Sequence, residues 1–501
     1  MLRKLRVALA AIFFIAITLL FLDFTGTIHC WLGWTARIQF LPALLALNVA
    51  VVAGLLLLTL VAGRVYCSVI CPLGVMQDII AWFGGRGKKR RFRFSYSPAR
   101  NWWRYAIFAI FAIFVCAAVA GIGSLMVLLA PYSSYGRIVT NLFEPIYRWG
   151  NNLLAYFAAR ADSYAFYSVD VWLRSLPTFI IAAATFDILF VLAWRNGRTY
   201  CNTICPVGTL LGFVSRFSLF GVRIDTTKCV SCGICSRKCK AACIDGKKTH
   251  TVDHSRCVAC FNCIDACPHG AVKYAFRYRK PATAPADTSD APDKGRRAFV
   301  TATAIAAATA AVRAQEKKVD GGLAEIENKK VPGRHTPIVP PGAVSLHHLA
   351  QHCTGCQLCV SECPSGVLRP SGNILSLMQP VSEYERGYCH PGCTRCSEVC
   401  PAGAILPVTA AEKSSIRIGH AVWVKENCLP YTDGISCGNC ARHCPSGAIL
   451  MVHKDASDAE SPRIPVVNEE RCIGCGACEN LCPARPFSAI YVEGHSVHSK
   501  F

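Results

Sequence analysis

The stretch RVYCSVICPLG, Arg64 to Gly74, returns 134 residues later as RTYCNTICPVG, Arg198 to Gly208, with Arg, Tyr, both cysteines, Ile, Pro and Gly in the same places. Each copy spaces two thiols four residues apart and ends on a proline that marks a turn or a new helical start. On one helix Cys67 and Cys71 share a face, as do Cys201 and Cys205, so four thiols can meet at one place. Duplication with the cysteines as small buried hydrophobes is the alternative. The preserved Arg, Tyr, Pro and Gly favour a shared site, with these four cysteines as its active thiols. Whether it holds a metal, a cluster, a reversible disulfide or the edge of a quinone pocket does not follow from spacing.

Working outward, each copy follows an apolar run. Val7 to Leu22, Leu41 to Ala62, Tyr105 to Ala130 and Pro177 to Trp194 are each near the roughly 20 residues needed to cross a bilayer. A four-helix membrane domain over 1–220 is the expectation, with membrane lipid as its surroundings. The loop Gly84 to Arg104 carries eight Arg or Lys and no acid, and Arg3, Lys4 and Arg6 precede the first run. Both therefore belong in the cytoplasm, and both CxxxCP elements sit at that membrane face. The net charge of +22 is read as helix orientation rather than nucleic-acid binding, so no nucleic acid is expected as a partner. Asp187, mid-way along the fourth run, is a candidate catalytic proton acceptor or else a structural hydrogen-bonding group near Asn48. His29, Cys30 and Cys116 carry weaker signals.

At 501 residues several domains are expected, and 31 cysteines in short regular runs argue for metal ligation rather than disulfides. CVSCGICSRKCKAACID from Cys229 and CVACFNCIDACPHGAV from Cys257 have the CxxCxxCxxxC form of two-cluster ferredoxins, in which the fourth cysteine crosses to the other cube. Cys229, Cys232, Cys235 and Cys267 would hold one 4Fe-4S cluster. Cys257, Cys260, Cys263 and Cys239 would hold the second, with Cys243 competing for the last place because Lys240 replaces the usual proline. Zinc ribbons use pairs of cysteines, whereas a third evenly spaced thiol favours iron and sulfur. This module, over 221–280, follows the fourth span and is expected in the cytoplasm.

A Pro, Ala and Asp stretch over 281–297 reads as a tether. It runs into KGRRAFVTATAIAAATAAVRAQ, with two arginines before a mildly apolar run over 298–314. That run has the form of a twin-arginine export signal, or of an ordinary helical connector.

Four more sets follow over 345–501: Cys353, Cys356, Cys359 and Cys363; Cys389, Cys393, Cys396 and Cys400; Cys428, Cys437, Cys440 and Cys444; and Cys472, Cys475, Cys478 and Cys482. Two stretch their first gap, to three and eight residues. They either lose a ligand and hold a smaller cluster or, as four thiols in each suggest, hold four cubes. The fold class is then a four-helix membrane domain joined to α+β bacterial-ferredoxin-like double-cluster domains, one dicluster and one C-terminal tetracluster. Six 4Fe-4S clusters are expected in all. No CxxCH motif, nucleotide-binding glycine loop or flavin fingerprint occurs, so the recognisable chemistry is one-electron transfer.

Residues 1 to about 280 resemble NapH-type membrane polyferredoxins of periplasmic nitrate reduction. Residues from about 295 onward are similar to NapG and MauM ferredoxin-type proteins, most distinctively in ENCLPYTDGISCGNCARHCP, Glu426 to Pro445. The resemblance implies a quinol dehydrogenase component in the bacterial inner membrane. It would take electrons from the quinone pool, with quinol as substrate, and pass them to a periplasmic terminal reductase such as nitrate reductase, or to a cytochrome. The first ferredoxin module would be cytoplasmic and the C-terminal one periplasmic. An iron-sulfur assembly, maturation or redox-regulatory factor is the rival, sharing every motif.

Overall fold

The computed structural model describes residues 1–23, 25–86, 96, 106, 109–110, 113, 124–163, 165–246, 249–278 and 327–501. The tether at 281–297, the twin-arginine segment at 298–314, Cys116 and most of the third apolar run lie outside these residues.

Helix α1, Leu2–Leu22, contains no Gly or Pro and buries Ile17, Leu20 and Phe21 on one stripe. Its 21 residues extend about 31 Å at the helical rise per residue. It is one of two helices among the described residues long and apolar enough to cross a membrane, the other being Leu176–Asn196.

The second apolar run is not the continuous span expected. A short helix Phe40–Leu45 stops, Leu47 takes a φ of 53°, and the Asn48 side chain accepts from Val51 N to cap α2, Val49–Ala62. An Asn that captures a backbone N–H competes with helix continuation, so a uniformly hydrophobic stretch is cut where its one amide lies. The chain leaves α2 at Gly63, with φ 72°, and turns back through α3, Tyr66–Val69, into α4, Pro72–Arg86. The end of the third run is a helix over Ser124–Leu129, followed by α5, Pro131–Ile138. The chain then forms α6, Glu144–Arg160, whose Trp149, Leu153 and Phe157 are exposed. Buried Glu144 ties it to Arg174 through two hydrogen bonds of 3.1 and 2.8 Å.

The second copy repeats the first. Helix α7, Leu176–Asn196, ends at Gly197, again with φ 72°, and leads through α8, Thr199–Thr203, into α9, Pro206–Ser215. A left-handed backbone suits glycine. Gly63 and Gly197 occupy equivalent places, so the repeat begins one residue before the arginines. The cysteines of each motif do not share one helix, contrary to the sequence expectation. Cys67 lies in α3 while Cys71 falls in the break before Pro72, and Cys205 caps α9. Proline lacks an N–H and cannot continue the preceding turn.

The first ferredoxin module opens with β1, Phe220–Ile224, paired antiparallel to β2, Val272–Phe276, with Val222 opposite Tyr274. It docks under α2, where Tyr274 donates its hydroxyl to the Ala62 carbonyl at 3.0 Å. In the second module β3, Ile416–Trp423, pairs with β4, Ile490–Lys500, with an irregularity between Gly494 and Ser499. Its core holds Tyr384, Ile418, Ala448, Ile490 and Val492.

The two modules contact opposite ends of α1. Arg3 pairs with Asp265 of the first module at 3.3 Å, while Arg395 of the second donates to the Thr25 carbonyl at 2.8 Å. The second module is also held by Asn141, which donates to Gln357 Oε1 at 2.9 Å, and by Arg369 and Arg386 over the ring of Trp172.

Candidate iron-sulfur and membrane thiol sites

Within the first module, Cys229, Cys232, Cys235 and Cys267 line one cavity, so the fourth ligand does come from the other motif. A Cβ on Gly246 would lie 2.6 Å from Cys235 Sγ, and the bare glycine leaves that space to the sulfur. Cys263 has Cys260, Cys257 and Cys239 as its electrostatic neighbours. Cys243 is a fifth, buried thiol among this set, 3.5 Å from Cys239 Sγ and also in contact with Cys257. Burial pushes the Cys260 thiol up to about 11.

The second module repeats the crossover in all four sets. Cys428, Cys437, Cys440 and Cys482 line a second cavity, and burial raises Cys440 to about 12 beside Cys437, Cys482 and Cys428. Cys475 is likewise raised to about 12 by burial, with Cys472 and Cys444 next to it. Cys353 and Cys356 sit beside Cys400, and Cys396 beside Cys389, Cys363 and Cys393. The stretched first gaps are absorbed by local turns: Leu429–Thr432 fills the eight-residue one and returns Cys437 to the cavity.

These sets fit iron-sulfur cubes by donor chemistry. Four thiols around one cavity would repel one another as thiolates, and bound metal inverts that cost by deprotonating the ligands outright. A single zinc would draw its sulfurs to within about 4 Å of each other at a Zn–S bond of about 2.3 Å.

The four remaining motif thiols also converge. Cys71 lies within electrostatic reach of Cys201 and Cys67, and Cys205 of Cys201, Cys71 and Cys67. All four are buried and none is in a disulfide. The two copies brace each other reciprocally. Arg64 donates to Cys67 Sγ at 3.8 Å and to the Cys201 carbonyl at 3.0 Å. Arg198 donates to Cys201 Sγ at 3.7 Å and to the Cys67 carbonyl at 2.7 Å. The repeated glycines make room for this exchange: a Cβ on Gly74 would lie 2.6 Å from Arg198 Nη1, and one on Gly208 2.9 Å from Arg64 Nη2. Both arginines are fully buried. The repeated tyrosines anchor the loops, Tyr66 donating to Gln39 Oε1 at 3.1 Å and Tyr200 to the Leu129 carbonyl at 3.0 Å.

Asp78, unremarked in sequence, pairs with Arg198 at 2.8 Å, with Lys240 at 3.4 Å and with Arg6, joining α1, α4 and the first module at one buried point. The equivalent position in the second copy is Gly212, and there Arg64 donates to the Ser255 carbonyl and to Asn202 Oδ1 instead. Asp187 is exposed on α7. Asn48 is engaged as the α2 cap. Cys30 is exposed.

Comparison with known proteins agrees with this arrangement. A 4Fe-4S binding domain model matches residues 44–91 and 177–225, which contain the two CxxxCP copies, another matches 250–273, and a 4Fe-4S dicluster domain model matches 434–485. The ferredoxin-type protein NapH of Escherichia coli is 26% identical over 48% of this chain and 70% of its own length. This chain is a NapH/NapG-like polyferredoxin. The methylamine utilization ferredoxin-type protein MauM of Paracoccus denitrificans is 34% identical over 29% of this chain and 66% of its own length. The ferredoxin-type protein NapG of Haemophilus influenzae is 32% identical over 32% of this chain and 63% of its own length. The polyferredoxin spans only 38% and 59% of the length of two other curated relatives. No solved structure matches it.

Proposed function

We propose that the chain is an integral membrane electron carrier of the quinol dehydrogenase type. It draws electrons from membrane quinol and passes them singly to an extracytoplasmic acceptor, a reductase such as nitrate reductase or a cytochrome. Quinol loses two electrons and two protons on becoming quinone, and iron-sulfur chemistry carries the electrons one at a time. Residues 1–220 would form the membrane domain, with four crossings in all. The module over 221–280 would lie in the cytoplasm and that over 345–501 on the far side, with the twin-arginine segment between them. The six ferredoxin sets would each hold a 4Fe-4S cluster, with Cys239 as the crossing ligand to the second. Asp187, an exposed carboxylate on a helix long enough to cross the membrane, would accept a proton from quinol.

The observation that carries this reading is the placement of thiols along α1. One ferredoxin module meets its N-terminal end through Arg3 and Asp265, and the other meets its C-terminal end through Arg395 and Thr25. Cys67, Cys71 and Cys205 belong to the buried core that also holds Ile17, Leu20 and Phe21 of α1, and Cys201 is buried as well. The basic loop and N-terminus support a cytoplasmic position for the first module. Anaerobic addition of a short-chain quinol to the purified, iron-loaded chain tests it, with bleaching of the visible iron-sulfur absorbance expected. A preparation that dithionite bleaches and quinol does not, or one that instead hands its iron to an apo-acceptor, would reject electron relay from quinol.

A further inference from the structure

We infer that Arg137 and Tyr132, both on α5, raise the reduction potential of the cluster that Cys353, Cys356, Cys359 and Cys400 would hold in the second module. The inference rests on the reading of this chain as an iron-sulfur carrier. It names the residues by which the apolar first part of the chain sets the redox behaviour of the last.

The contact is close. All eight residues of α5 are buried. A Cβ on Gly136 would lie 2.4 Å from the Cys356 carbonyl, so the bare glycine is what lets the helix approach the ligand loop. On either side, a Cβ on Gly355 would lie 2.4 Å from Val127 Cγ1, and Asn141 donates to Gln357 Oε1 at 2.9 Å. Three consecutive loop residues, Gly355, Cys356 and Gln357, are seated on this one stretch of chain. Cys353, Cys359 and Cys400 are the neighbours of Cys356.

The argument is then one of charge. Arg137 is wholly buried, and it donates to neutral acceptors: the Val127 and Leu128 carbonyls at 2.7 and 3.0 Å and the Ser134 hydroxyl at 3.1 Å. Those carbonyls lie at the end of the helix Ser124–Leu129, and a neutral amide could cap them as well. Capping does not require the charge, and a buried cation is costly until an opposite charge lies near it. Cys356 is beside it. Tyr132, also buried, neighbours Cys356 and Cys400. Its hydroxyl and Arg137 Nε both lack a hydrogen-bond partner among the described residues. A water would satisfy the hydroxyl but leave the charge unanswered. A cube with four thiolate ligands answers both, being an anion rich in sulfur acceptors. In return the guanidinium favours the reduced cube, which carries one more negative charge, and a hydrogen bond to sulfur acts in the same direction.

Position gives this a use. On its other side α5 meets the repeated motifs, where Tyr66 neighbours Tyr132 and Tyr200 donates to the Leu129 carbonyl at 3.0 Å. The Cys356 set is therefore one that the second module presents to the buried core around α1, and a raised potential makes it easier to reduce from that side.

The test uses the full-length chain, purified anaerobically in detergent with its iron, titrated with dithionite and followed by EPR. Cys400→Ser removes a ligand and identifies this cluster's component by its loss. Arg137→Gln should lower the midpoint of that component by at least about 59 mV, a tenfold change in a one-electron equilibrium, and leave the other components in place. Arg137→Lys should restore most of the shift. Tyr132→Phe removes only a hydroxyl, should lower the same midpoint by less, and keeps the inference testable should Arg137→Gln fail to fold. A midpoint left unmoved by either variant, or a shift confined to a component that Cys400→Ser retains, overturns the inference while leaving the six-cluster carrier intact. If these shifts stand and quinol leaves the wild type oxidised, the quinol reading falls and the inference holds. A colourless, iron-free wild type would overturn both.

Discussion

Arg198 Nε donates to Asp78 Oδ1 at 2.8 Å, across 120 residues of sequence, and neither side chain is accessible to solvent to any useful degree. Lys240 and Arg6 complete the same carboxylate's shell. Three elements that the chain makes far apart are thereby pinned at one charge. Removing one partner of a buried ion pair leaves the others uncompensated, at a cost of about 3–5 kcal/mol. Asp78→Asn should accordingly lower the stability of the detergent-solubilised chain by about that amount, read from a thermal or denaturant transition. A change below about 1 kcal/mol would show that the cations are satisfied elsewhere.

The reciprocal arginines predict which glycines tolerate a methyl group. A Cβ on Gly74 would lie 2.3 Å from the Cys67 carbonyl, and one on Gly208 2.2 Å from that of Cys201, both of which are rigid backbone. Gly74→Ala and Gly208→Ala should each cost at least about 1–3 kcal/mol, as over-packing does. Gly54→Ala, with nothing within 4 Å, should be tolerated. Folded yield and melting temperature of the three variants decide the matter.

Crossed ligation predicts the result of removing the last cysteine of each set. Cys482→Ser should abolish the centre whose other ligands are Cys428, Cys437 and Cys440, and Cys444→Ser that of Cys472, Cys475 and Cys478. In the first module Cys239→Ser should lose a cluster, whereas Cys243→Ser should keep it. Iron content and component-resolved EPR report each loss. Retention of the Cys440 centre in Cys482→Ser would place that fourth ligand elsewhere.

His254 predicts acid sensitivity of the first module. Burial, followed by the nearby Arg277 charge, lowers its imidazole to about 4 from the usual 6.5. The folded state then binds fewer protons than the unfolded one between these two values, so stability is full above pH 6.5 and falls as pH drops toward 4. Allowing for partial exposure, the loss amounts to about 2 kcal/mol. His254→Gln should flatten this part of the pH-stability curve, and an unchanged slope in that variant would assign the acid loss to other groups.

Much of the candidate chemistry was legible in the residues because ligation is written locally. Three thiols spaced by two residues can close on one cube within a single tight loop, and the crossing fourth cysteine found at Cys267 follows from the motif alone. The repeat around Arg64 and Arg198 was equally visible. What it accomplishes was not, since each arginine's partner belongs to the other copy.

Sequence by itself determined the six ferredoxin cysteine sets, the duplication, and the apolar helices α1 and α7, since each depends on neighbours a few residues apart. Tertiary structure alone decided the break at Asn48, the split of each CxxxCP motif at its proline, and the choice of Asp78 as the shared counter-ion. The physical reason is that burial of charge is settled by whatever lies nearest in space. An acid in α4 and a glycine in α9 occupy matching places in the repeat, yet only packing reveals that one neutralises Arg198 while the other leaves Arg64 facing the thiols.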